Sequence, residues 1–137
     1  GMHVRVASPP DYAPREDVVA DADRIAATTG GSVTLYTDAV EAAAGADVIV
    51  TDTWVSMGKE EEKLQRIRDL GGYKVTRELM ALARPGAIFI HCLPADRGYE
   101  VEAEVIDGPQ SVVWDEAENR LHAQKALLVW LLERARG

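Results

Sequence analysis

Three short stretches end in residue types that could do chemistry. An apolar run closes with "TDTWVSMG" at 51 to 58, another with "HCLPADRG" at 91 to 98, and a third runs into "WDEAENR" at 114 to 120. Together they offer a carboxylate (Asp52), hydroxyls and a tight turn (Ser56, Met57, Gly58), the only thiol of the chain (Cys92) and a guanidinium (Arg120). Arginine supplies fixed, permanently charged donors to phosphate or carbonyl oxygens. If the strand ends meet, a carboxylate, a hydroxyl, a thiol and a guanidinium converge on one edge. His91, with His3 and His122, shows no zinc-like spacing.

Each residue also has a plainer reading. An aspartate at a strand end more often closes an Asx turn. A free cysteine is usually a small buried hydrophobe, and His91 reads as a core histidine or one that supports a site from behind. Arg120 is the misfit. It stands near the start of the last helix, where the helix dipole disfavours a cation, so it is expected to face an anion. Only the combination exceeds background.

These residues need a frame that brings strand ends together. Five apolar runs alternate with polar or helix-like stretches: 3 to 8, 32 to 37, 47 to 52, 87 to 92 and 111 to 115. Continuous β-branched runs predict strands buried on both faces, hence a parallel sheet covered by helices. Val18, Val19, Ala22, Ile25 and Ala26 form a helical stripe between Pro14 and Gly30. Further helices are predicted at 38 to 44, at 77 to 83 behind a Thr76 cap, and at the C-terminal end behind an Asp115–Glu118 capping box. The last contains "ALLVWLL" at 126 to 132, apolar nearly all round and expected to be buried on more than one side. The charged stretch 58 to 72 reads as a loop or loosely attached helix with a solvated face. The predicted fold is α/β, a Rossmann-like doubly wound parallel sheet flanked by helices, in which ligands meet the carboxyl ends of the strands.

Composition narrows the partners. The 137 residues carry 15 basic and 23 acidic side chains, a net charge of −8, which disfavours nucleic acid and anionic membrane surfaces. The length suits one domain. A lone cysteine and the absence of a signal-like or membrane-length apolar run point to a cytoplasmic protein.

"DTWVSMG", "HCLP" and "AENR" in this order resemble the ornithine carbamoyltransferase family, specifically its ornithine-binding half, and the resemblance runs the length of the chain. It implies transfer of a carbamoyl group from carbamoyl phosphate to the δ-amine of ornithine, with no cofactor, in a trimeric enzyme. It further implies that Asp52 and Ser56 hold the α-amino group of ornithine, that the backbone at Met57 meets its carboxylate, and that Gly58 lets the loop close as a lid. Cys92 would lie beside the δ-amine as a positioning group. The Leu93 carbonyl would bind the carbamoyl amino group and Arg120 the carbamoyl phosphate.

Two departures accompany the resemblance. Asp96 stands where the family often has histidine. Nothing matches the family's carbamoyl-phosphate domain with its "STRT" loop, nor the first strand of the ornithine domain with its "GDGNN" turn. The expectation is therefore a partial ornithine-binding domain over 1 to 137, without the carbamoyl-phosphate domain, and with an unfilled place between the strands at 3 to 8 and 47 to 52. A non-catalytic amino-acid-binding or self-associating piece is the alternative. Transfer to another amine such as putrescine fits less well with Asp52 and the "SMG" turn.

Overall fold

A computed structural model of the chain describes residues 1–55 and 62–135. Strand β1 (His3–Ala7) is followed by a 3-10 turn (Pro10–Tyr12), helix α1 (Glu16–Thr29) and strand β2 (Ser32–Tyr36). Helix α2 (Ala39–Ala43), strand β3 (Val48–Thr51) and helix α3 (Lys63–Leu70) come next, then a 3-10 turn (Gly71–Tyr73), α4 (Arg77–Ala81) and strand β4 (Ile88–His91). Two helices close the chain, α5 (Ala103–Ile106) and α6 (Val113–Ala135).

Local chemistry accounts for most boundaries. The Asp38 carboxylate accepts Val40 N–H and the Thr76 hydroxyl accepts Leu79 N–H, so α2 and α4 begin at side-chain caps, the second as predicted. Gly30 ends α1 at φ +73, a left-handed turn that costs glycine nothing.

All strand pairs are parallel, β1 with β2 and β3 with β4, and among the described residues these are two separate two-stranded sheets. The sheet is therefore interrupted between β1 and β3, where the unfilled place is expected. Arg5 on β1 reaches across by donating to the carbonyls of Ala42 and Ala44 at the end of α2.

Five expectations are corrected. The run at 111 to 115 is no strand: Ser111 makes one bridge to Phe89, Val112 donates to the Phe89 carbonyl, and α6 begins at Val113. The helix thus starts ahead of Asp115, which lies in its first turn and is not its cap. The strands are not buried on both faces: Val48, Val50 and Ile88 are exposed while Ile49, Phe89 and His91 point inward, because helices cover one face of the β3–β4 pair. In α1, Ala26 is buried and Val19 and Ala22 are half-buried, whereas Val18 and Ile25 face outward, so the packed stripe is narrower than predicted. Finally, α6 is anchored by Val113, which is fully buried, but Leu127, Leu128, Trp130, Leu131 and Leu132 are exposed, against the expected burial.

The core lies between the β3–β4 pair and the helices over it. It joins Ala43, Ile49, Val75, Met80, Phe89, Val101, Val105, Ile106 and Val113. The polar stretch after β3 includes an ordered helix, α3, tied back by Tyr12 Oη donating to Asp69 at 2.9 Å and by Arg66 donating to the Trp54 carbonyl at 3.4 Å.

Candidate active site

The parallel register aligns Thr51 with His91, so the next residue on each strand, Asp52 and Cys92, emerges at the same edge. There the Cys92 thiol donates to Asp52 Oδ1 at 3.1 Å. The same oxygen accepts Thr53 N–H at 2.7 Å, so the Asx-type local bond and the contact with the thiol coexist. Both side chains are exposed, which corrects the plainer reading of Cys92 as a buried hydrophobe. The hydrogen bond to Asp52 pushes the Cys92 thiol above its ordinary range, with desolvation and the negative charges of Asp52 and Glu116 adding to the effect. The thiol is accordingly held protonated, a donor and not a thiolate nucleophile.

Behind this edge His91 is buried, as one of its two sequence readings has it. Its Nδ1 accepts Leu93 N–H at 2.9 Å, and its Nε2 lies 3.4 Å from Glu100 Oε1. Leu93 adopts φ +53 and precedes a cis bond to Pro94. Asp52, His91 and Cys92 each offer a metal-ligating atom within 4.8 Å of the others. The Nδ1 lone pair of His91 is already taken by Leu93 N–H and the thiol hydrogen by Asp52, in two separate hydrogen bonds.

Arg120 is exposed on α6 and makes no hydrogen bond or ion pair with any described residue. It is four residues beyond Glu116, whose charge acts on Cys92, and the two share a helix face. The geometry thus forms two hydrogen-bonded pairs at this edge, Cys92 with Asp52 and Leu93 with His91, and leaves Arg120 unbonded to either. Ser56, Met57 and Gly58 lie outside the described residues. Glu116 and Glu100 were not singled out in the sequence; both look there like ordinary solvated acids. A shallow groove lined by Val40, Gly72, Thr76, Leu79 and Glu102 contains none of these residues.

With this geometry in view, the comparisons with known proteins are decisive. The family model for the Asp/Orn binding domain of aspartate/ornithine carbamoyltransferase matches residues 1–131. The chain belongs to the aspartate/ornithine carbamoyltransferase family. An ornithine carbamoyltransferase of Clavibacter sepedonicus is 73% identical over 135 residues, covering 98% of this chain and 44% of that protein. The solved ornithine carbamoyltransferase of Pyrococcus furiosus superposes with a TM-score of 0.88 at 52% identity, over 93% of this chain and 41% of the other. A solved N-acetyl-L-ornithine transcarbamylase gives 0.80 at 36% identity, over 93% and 40%. The chain thus spans less than half the length of the carbamoyltransferases it matches. The α/β, Rossmann-like class expected from the strand pattern is the class of these structures.

Proposed function

We propose that the chain supplies the ornithine-binding side of an ornithine carbamoyltransferase, which transfers the carbamoyl group of carbamoyl phosphate to the δ-amine of L-ornithine, giving L-citrulline and phosphate. The observation that carries this reading is the Cys92–Asp52 contact at the shared edge of β3 and β4, in a chain 73% identical to a protein named for that activity. The amine nitrogen attacks the carbonyl carbon, the bond to the phosphate oxygen breaks, and the proton lost by the amine leaves with phosphate. Asp52 offers its second oxygen, Oδ2, which bonds to no described residue, to an amine hydrogen. The protonated Cys92 thiol orients that amine without competing as a nucleophile.

The Leu93 carbonyl accepts from the carbamoyl amino group in this reading, and Arg120, unpaired among the described residues, takes the phosphate end of carbamoyl phosphate. Ser56 and Met57 would receive the α-amino and carboxylate groups of ornithine. Rate comes mainly from holding the two substrates in register while water is excluded. Every step is polar and calls for no cofactor. Residues 1–137 act as a partial ornithine-binding domain that needs a carbamoyl-phosphate-binding part. The same reading extends to a trimer, to the cytoplasm and to arginine metabolism.

A second reading is an amino-acid-binding or self-associating piece without catalysis, since Arg120 as a single cation would hold the carbamoyl phosphate dianion poorly. A chimera separates the two: this chain replaces the matched region of the Clavibacter sepedonicus protein, and citrulline is measured from ornithine and carbamoyl phosphate. The expected result is turnover that Asp52→Ala and Arg120→Ala each reduce by at least about a hundredfold. A well-folded chimera without citrulline would support the second reading.

A further inference from the structure

We propose that Glu100 is a positioning residue of this site, holding the turn after β4 in the shape that presents the Cys92 thiol and the Leu93 carbonyl. The inference rests on the proposed function only for what those two groups would face.

Glu100 is 1% exposed and the His91 side chain is fully buried, an arrangement that is costly for an acid unless it is hydrogen-bonded; one oxygen is, while Oε2 is buried without a hydrogen-bond partner among the described residues. Its Oε1 accepts Asp96 N–H at 2.5 Å and faces His91 Nε2. Because His91 Nδ1 accepts Leu93 N–H, the neutral ring carries its hydrogen on Nε2, on the side of Glu100. Two buried side chains in mutual contact thereby grip the backbone at both ends of Leu93–Asp96.

The grip opposes a definite tendency. Left-handed backbone is unfavourable for a residue with a Cβ, and Leu93 sits there at φ +53. Glu100 is itself immobilised by its own backbone. Val75 N–H donates to the Glu100 carbonyl at 2.9 Å, Gly98 N–H to the Val101 carbonyl at 2.8 Å, and Val75 and Val101 belong to the core. The frame under the core therefore reaches the Cys92 turn through one carboxylate.

Because Cys92 is the only cysteine, its alkylation by iodoacetamide on the full chain reports the turn directly. Glu100→Met keeps the volume and removes both acceptors, and is expected to alkylate about fivefold faster, the equivalent of one hydrogen bond's net contribution. Glu100→Gln keeps an oxygen for Asp96 N–H and His91, and is expected to stay within about twofold of the wild type. Far-UV circular dichroism establishes that each variant is folded. Should Glu100→Met not fold, His91→Phe, which removes the acceptor of Leu93 N–H, takes its place with the same expected acceleration. A folded variant of either kind that alkylates at the wild-type rate overturns the proposal, and so does a folded Glu100→Gln as fast as the apolar variant. Alkylation involves no substrate, so a chimera that makes no citrulline would overturn the proposed function and leave this inference standing.

Discussion

Cys92 and Asp52, forty residues apart, meet at 3.1 Å because β3 and β4 run parallel in a register that aligns the residues just before them. The thiol's only described acceptor is a carboxylate, and the carboxylate controls the thiol's ionisation.

The pH dependence of Cys92 reactivity follows. With its pKa raised by Asp52, the rate of alkylation should rise with pH only above the ordinary thiol range, and Asp52→Asn should shift that profile toward lower pH. The sign for stability is also set. A thiol whose folded pKa lies above its unfolded one contributes stability that is complete below the unfolded pKa and lost as pH rises through the folded one. Urea unfolding of the wild type should therefore weaken above about pH 8.5, and Cys92→Ala should flatten that alkaline decline.

A second linkage acts on the acid side. Arg97 donates to both oxygens of Asp107, at 2.9 and 2.7 Å, fastening the Cys92 turn to the end of α5. The guanidinium's hydrogen bonds hold the Asp107 carboxyl below its usual range. Its contribution is present above the ordinary carboxylate pKa and fades as pH falls through the lowered one. Arg97→Gln should remove it, seen as an acid-unfolding midpoint displaced to higher pH.

Packing predicts a contrast between two apolar residues that look alike in the sequence. Phe89 is fully buried at the centre of the core, and its truncation to alanine should cost about 3–5 kcal/mol in urea unfolding. Ile25, 55% exposed on α1, should lose within about 0.5 kcal/mol as Ile25→Ala. Equal losses would contradict the placement of the core.

The meeting of Asp52 and Cys92 was legible because βα alternation puts strand ends on one edge, whatever the details of the sheet. The stretch at 111 to 115 misleads for a physical reason. Its valines suit a strand, but Val112 completes the bridge to Phe89 and the acids that follow favour a helix start. Glu100 was invisible: between Tyr99 and Glu102 it reads as surface, since a buried acid depends on partners supplied by distant backbone. The apolar face of α6 was legible as composition, but hydropathy states a tendency to be covered and not which contacts a helix makes.

The most direct test is the acceptor choice of the chimera. It is supplied with carbamoyl phosphate and an equimolar mixture of L-ornithine, N-acetyl-L-ornithine, L-aspartate and putrescine, and its products are resolved by mass. Citrulline as the dominant product, lost together with all others in Asp52→Ala, is the expected result. Carbamoyl-aspartate, N-acetylcitrulline or carbamoyl-putrescine in excess of citrulline would contradict the assignment of this site to ornithine.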